Sequence, residues 1–183
     1  KVEEIIQEAK LVKGVRVNGQ NYLSDIVVCN SDVKPAYRYL LKSVKPPKKT
    51  LQQEPSSSAM IFYWGVNGSF PELHLHNIFF SENYREEFQH IFDQGSVSDD
   101  PTVYVHVSSK LVPNDAPEGG ESWFILVNVP SNSGQDWDKL REQIRERVIA
   151  KLSRMLKKEI STLIEVEDYL DPVRIEQIGR AHV

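Results

Sequence analysis

The sequence predicts an α+β fold: an antiparallel sheet with helices on one face. Three observations predict it. Short apolar and aromatic runs, partly alternating with a period of two, recur at 11–17, 60–66, 102–107 and 122–129. One long segment instead carries Leu140, Ile144, Val148, Leu152 and Leu156 at steps of four, the pattern of an amphipathic helix. The predicted elements follow in the order βββα, then ββαββα and a last β-start, without the regular strand–helix alternation of a parallel sheet.

The elements follow in order. The runs 11–17 and 20–23 flank Asn18-Gly19, a pair suited to a type I′ turn because both central residues need positive φ, and they read as a hairpin. Asp25-Ile-Val-Val-Cys29 is nearly all apolar and reads as a short strand buried on both faces. Asn30-Ser31-Asp32 supplies a helix start before a short helix over 36–41, with Pro35 in its first turn. Residues 42–58, with Pro46, Pro47 and Pro55, read as a surface connector. The aromatic run 60–66 ends at Asn67-Gly68, and 73–80 reads as its partner strand. Ser81 or Asn83 caps a helix through Phe92, with Tyr84, Phe88, Ile91 and Phe92 on one face. Strands at 102–107 and 122–129 are joined by the turn-rich segment 113–120. Asp136 caps the long helix, 163–170 is a further strand, and Asp171-Pro172 opens a last helix.

Composition narrows the possible functions. Against 22 Lys+Arg stand 26 Asp+Glu, a formal charge of −4, with 40% hydrophobic and 26% charged residues. That is enough apolar side chain for a sizeable core and too little net charge for a disordered chain. The acidic balance argues against a nucleic-acid partner, which calls for a basic stripe. The single cysteine, Cys29, excludes an internal disulfide framework and a cysteine-rich zinc site. No apolar run approaches the roughly 20 residues that span a bilayer, and no secretory pattern opens the chain. The chain starts at Lys1, without Met, inside an already patterned segment (Val2, Ile5, Ile6). Its last residues, Ile178-Gly-Arg-Ala-His-Val183, break the preceding pattern. We expect a piece of a longer protein, with 178–183 as a non-native tail.

Common catalytic motifs are missing. There is no Gly-x-Gly-x-x-Gly, phosphate loop, Gly-x-Ser-x-Gly or His-Glu-x-x-His. Without a second reactive group, Cys29 reads as a small buried residue rather than a nucleophile. His74 and His76 lie two apart on a predicted strand, with His106 on a strand near them; no carboxylate falls at matching spacing, so no metal site is expected. His76 is the one weak candidate for proton transfer, against the plainer reading of a hydrogen-bonded sheet histidine. Tyr63, Trp64, Phe79, Tyr104 and Phe124 concentrate aromatic bulk on the strands. Core packing accounts for such residues, and so does the lining of an apolar substrate pocket; a sheet apolar on both faces needs a cover for the second. The long helix is rich in Lys and Arg, which suits a solvated face or attraction to an anionic membrane surface.

Several segments together resemble the phytoene desaturase family of FAD-dependent carotenoid desaturases and isomerases. Gly14-Val-Arg-Val-Asn-Gly19 followed by Ser24-Asp-Ile-Val-Val-Cys-Asn-Ser-Asp32 resembles its "GVR…G…ADxVVxNAD" stretch. Leu75-His-Asn-Ile-Phe-Phe80 with Tyr84-Arg85 and Ile91-Phe92-Asp93 resembles "HHTVxF…YRxxxxxIFD". Asp100-Pro-Thr-Val-Tyr-Val-His106, Ala116-Pro-Glu-Gly119 and Val127-Asn-Val-Pro130 resemble "PSxYVxxPSxTDPSxAPEG…LVPVP". The blocks agree in order and spacing from Val2 to about Glu176 and depart at Asn77 and Gly120, where many members have Thr and Cys. The wording is most similar to the hydroxycarotenoid 3,4-desaturase branch.

The resemblance implies a two-domain flavin enzyme that dehydrogenates C–C bonds of phytoene or a related carotenoid, or else a carotenoid cis–trans isomerase on the same fold. A stand-alone lipid-binding module is the non-enzymatic alternative. It implies a flavin-domain remnant over 1–32 and most of a substrate-binding domain over 33–176. FAD would be held mainly outside these residues, with Val2, Cys29, Asn30, Ser31 and Asp32 near it. Tyr63, Trp64, His76, Phe79, Tyr104 and Phe124 would line the carotenoid pocket. A membrane-borne substrate implies a cytoplasmic protein in peripheral contact with the inner face of the membrane, and the chain alone is expected to be inactive.

Overall fold

The computed structural model describes residues 1–181, with side chains to residue 178. His182 and Val183 of the expected tail lie outside the described residues; the rest of that tail ends the last helix. The chain divides into two compact units: Lys1–Pro55 with Arg174–Val183, and Ser56–Val173.

The first unit holds a three-stranded antiparallel sheet in the order β1 (Val2–Glu8), β2 (Leu11–Val17), β3 (Gln20–Leu23). The expected hairpin is present, with Asn18 at φ 50° and Gly19 at φ 75° as a type I′ turn demands. Gly14 sits beside a register shift in β1–β2 at φ 140°, where an added Cβ would lie 1.9 Å from the Tyr22 carbonyl oxygen. Only glycine fits there. Ile5 and Leu40 are buried, with Val2, Val12 and Val15 packed around them. Asp32 caps α1 (Val33–Pro35) by accepting the Lys34 N–H at 2.9 Å, and the chain continues into a π-helical turn, Ala36–Leu40. The connector contains one helical turn, α2 (Lys48–Leu51).

Residues 25–29 correct one expectation. They form no strand; Ile26 is 77% and Val28 87% exposed, and Cys29 is exposed rather than buried. A run apolar on both faces is stable as a strand only between flanking ladders and covering layers, and the first unit's sheet ends at β3.

The second unit is built on five antiparallel strands: β4 (Ser58–Asn67), β5 (His76–Phe79), β6 (Val103–Val107), β7 (Gly120–Val129) and β8 (Ile164–Leu170), in the order β5-β6-β7-β4-β8. β5 therefore does not partner β4, as the short connection between them suggests. β7 offers β4 a continuous ladder from Ser58↔Val129 to Asn67↔Gly120, whereas β5 pairs over four residues, His76↔His106 to Phe79↔Val103, and takes the edge.

The helix α4 (Trp137–Leu156), capped by Asp136 accepting the Lys139 N–H at 3.1 Å, lies on one face of this sheet. Its Ile144, Val148 and Leu152 meet Val103, Val105, Ile125 and Val127 in a core from which solvent is excluded. Three of its cations are tied into the unit. Arg145 pairs with Glu167 at 2.8 Å, Arg147 with Asp99, and buried Lys151 donates to Asp100 at 2.9 Å and to the Pro101 carbonyl at 2.8 Å. Burial alone would raise the Asp100 carboxyl, but the Glu82 backbone N–H, Lys151 and Arg154 outweigh it and hold its pKa below the ordinary value.

The helix α3 (Tyr84–Gln89) is capped by Asn83, whose side chain accepts the Glu86 N–H, and runs into a π-helical turn, His90–Gln94. The four residues expected on one face separate. Ile91 is buried, while Tyr84 and Phe92 are exposed and join Phe80 and Phe88 in a ladder of successive ring contacts. The last helix, α5 (Pro172–Ala181), closes the described chain.

Candidate functional site

Alternation along each strand sends neighbouring residues to opposite faces, so the ladder register determines which side chains meet. On the face opposite α4, one row runs His76, His106, Phe124, Tyr63 and Asp168; the next runs Ile78, Tyr104, Leu126, Ile61 and Leu170. This face is open: Tyr63 is 41%, Ile78 55% and Val166 70% exposed. Its rings interlock, with centroids 5.6 Å apart for Tyr63–Phe124 and 6.3 Å for Tyr104–Phe124, both edge-on.

Polar atoms gather at one edge of the face. His76 Nδ1 and the Tyr104 hydroxyl lie 2.7 Å apart, and the His106 ring sits against His76 with centroids 5.1 Å apart. Beyond this edge, Phe124, Leu126, Ile61 and Tyr63 form an apolar and aromatic strip with Leu170 at its far side. Such a surface can receive a long apolar molecule, with hydrogen-bonding groups at the β5–β6 end and again at Tyr63 and Asp168 toward β8.

Of the pocket residues expected from the sequence, Tyr63, His76, Tyr104 and Phe124 come together here. Trp64 and Phe79 do not. Trp64 is 1% exposed inside the α4-facing core and Phe79 packs against that core, because each stands an odd number of residues from Tyr63 or His76 on the same strand. Ile61, Ile78 and Leu126 belong to the face although sequence reasoning missed them; knowledge of the strand pairing was the signal needed. His74 lies outside β5, where its N–H donates to the Asn77 side-chain oxygen at 2.9 Å, so it does not join His76. Among the described residues no three His, Cys, Asp or Glu side chains converge as a metal site. A depression of about 290 Å³ lies at the edge between α4 and β8; it is charged, lined by Arg141, Arg145, Glu142, Glu167, Asp168 and Tyr169 with Phe62.

The expected cofactor residues lie in the first unit. Val2 packs on its small core; Cys29, Asn30 and Asp32 are exposed and Ser31 half-buried. Cys29 Sγ lies 3.2 Å from the Ser31 hydroxyl, and the Asp32 carboxylate is engaged by the Lys34 N–H. By themselves these residues form no cradle for a dinucleotide.

Comparison with solved structures finds the same fold in part of a longer chain. The chain superposes on part of an oxidoreductase from Methanosarcina mazei with a TM-score of 0.61 and 11% identity, over 92% of this chain and 36% of that one. No family model matches the sequence. The curated relatives are more specific. The chain is 47% identical over 176 residues to a 1-hydroxycarotenoid 3,4-desaturase of Flavobacterium sp., covering 96% of this chain and 36% of the relative. It is 38% identical to a 4,4'-diapolycopene oxygenase of Methylomonas sp (87% of this chain, 33% of the relative) and 34% to a phytoene desaturase of Fusarium fujikuroi (82% and 30%). The chain belongs to the carotenoid desaturase family. It spans about a third of the length of these relatives.

Proposed function

We propose that this chain supplies the substrate-binding wall of an FAD-dependent carotenoid desaturase. In this reading the α+β unit Ser56–Val173 belongs to the substrate domain and residues 1–32 to the flavin domain. The observation that carries the reading is the open aromatic face on a chain so similar to a hydroxycarotenoid desaturase. A carotenoid is a long stiff hydrocarbon, and burying it against Tyr63, Phe124, Leu126 and Ile61 stabilises the complex by roughly 25 cal/mol per Å² of apolar surface removed from water. FAD, when bound, supplies the acceptor for the hydride removed in dehydrogenation. The residues of this chain position the polyene and exclude water from it. Because the loop 29–32 forms no cradle of its own, the chain alone is expected neither to hold FAD stoichiometrically nor to turn over.

A membrane-dissolved substrate also suggests peripheral contact with the cytoplasmic face of a bilayer. The exposed rings of Phe80, Tyr84 and Phe92 support this, since aromatic side chains are favoured at the membrane–water boundary.

The test is to express the intact gene in cells that accumulate an acyclic carotenoid and extract the pigments. Loss of two hydrogens with a longer chromophore is the expected result. Gain of oxygen would favour an oxygenase, as one relative is named; altered geometry at constant formula would favour an isomerase; unchanged pigment would contradict the proposal.

A further inference from the structure

We propose that residues 33–53 of the first unit form a basic docking surface for an anionic lipid bilayer. The charge pattern stands by itself. The choice of a bilayer as the anionic partner rests also on the reading of the chain as part of an enzyme for a membrane-dissolved substrate.

The stretch carries Lys34, Arg38, Lys42, Lys45, Lys48 and Lys49, and all 26 Asp+Glu of the chain lie outside it. A strongly basic segment therefore stands in a chain whose formal charge is −4. The fold leaves all six cations exposed. Ala36 and Leu40 are buried, Leu40 against Ile5, which pins the helical turns Val33–Pro35 and Ala36–Leu40 by one side. Lys34 Nζ donates to the Gln53 carbonyl at 3.2 Å and so ties the far end of the stretch back to its start. The cations are thereby gathered on one closed loop.

Like charges gathered in this way repel, and the unit does not offset them. Arg16 pairs with Glu4 at 2.8 Å, but among the described residues none of the six makes an ion pair. Asp32, at the start of the stretch, is engaged by the Lys34 backbone N–H. An external polyanion relieves such repulsion, with an attraction that salt screens.

Two features favour a lipid surface over a nucleic acid. The helical pieces are single turns interrupted by Pro35, Pro46 and Pro47, too short to enter a DNA groove as a recognition helix does. Val33 and Tyr39 stand exposed among the cations, with the Arg38 guanidinium 5.9 Å from the Tyr39 ring centroid. Apolar and aromatic side chains interleaved with Lys and Arg suit the headgroup boundary of a bilayer.

The experiment is co-sedimentation of the intact gene product with vesicles of pure phosphatidylcholine, and with vesicles that are about one third phosphatidylglycerol. Each cation near an anionic surface strengthens binding by about fivefold, so the wild type is expected to favour the anionic vesicles at least about thirtyfold. Raising salt to about 0.5 M should remove most of that preference. K42Q/K45Q/K48Q/K49Q is expected to lose at least about tenfold of it, whereas K42R/K45R/K48R/K49R, which keeps the charge, retains it. Both variants are expected to unfold at the wild-type temperature. Equal binding of the wild type to both vesicles, a preference untouched by the glutamine substitutions, or one lost equally in the arginine variant would overturn the inference. So would tighter binding to a DNA oligonucleotide than to anionic vesicles, which would assign the surface to nucleic acid. Failure of the wild type to bind a carotenoid in micelles would instead contradict the polyene-wall reading, so the two failures are told apart.

Discussion

The two faces of the five-stranded sheet are made from the same strands, yet they differ in nearly every physical respect. Toward α4 the side chains of Val103, Val105, Ile125 and Val127 are fully buried, in aliphatic packing closed by Ile144, Val148 and Leu152. Toward the other side stand rings and histidines, with Tyr63 and Ile78 substantially exposed. Folding is driven by the first face; the second contributes little to it and is left free to bind. An apolar surface that stability does not require is a reason to look for a ligand.

Substitutions on adjacent residues break this comparison most sharply. Ile125→Ala, on the helix side, is expected to cost about 2–5 kcal/mol of stability, the range for truncating a large aliphatic in a closed core. Leu126→Ala, one residue away on the open side, is expected to cost under about 1 kcal/mol. Urea unfolding of both variants measures the difference; equal losses would mean that both faces are packed. In the first unit, Gly14→Ala must adopt an unfavourable φ and drive its Cβ into the Tyr22 carbonyl. The backbone penalty alone is about 1–3 kcal/mol, and amide exchange in β1–β3 is expected to accelerate.

Smaller effects sharpen the contrast within the core. Trp123 and Trp64 face each other in the β4–β7 ladder and are equally buried, but only Trp123 has a partner for its ring N–H, which donates to Glu121 at 2.9 Å. Trp123→Phe is therefore expected to destabilise more than Trp64→Phe, by about 1.5 kcal/mol, the low end of the net value of one hydrogen bond to a charged group. Thermal melts of the pair would show it. The smallest effect concerns acid. Asp100 has a lowered pKa in the folded chain, so its contribution is complete above its ordinary value of 3.8 and is lost as pH falls below that. The unfolding midpoint should be flat between about pH 7 and 5 in respect of this group and decline below about 4, with the decline shallower in Asp100→Asn.

Much of the fold was legible in the sequence because its signals are local. Asn18-Gly19 demanded a type I′ turn, Asp136 and the four-residue spacing from Leu140 to Leu156 specified α4, and alternation marked β6 and β7. Pairing was less legible, since register and strand order depend on partners far along the chain; that is why β5 was assigned to β4. The site suffered accordingly. Tyr63 and Trp64 are consecutive on one strand and cannot line the same pocket, a conclusion the period of two already contains. The same parity separates His76 from Phe79. Residues 25–29 failed for the opposite reason: their apolar run carries a strand's composition, but in this chain no neighbouring strand completes it.

The central claim is that the open face holds the polyene, and Leu126→Asp in the intact gene product tests it most directly. A carboxylate placed in the middle of that face, where Leu126 is half-buried, should cost no more than about 2 kcal/mol of stability and leave the protein folded, while binding of a carotenoid in micelles falls at least about tenfold because the charge would be desolvated beneath hydrocarbon. Undiminished carotenoid binding in a stably folded Leu126→Asp protein would contradict the account.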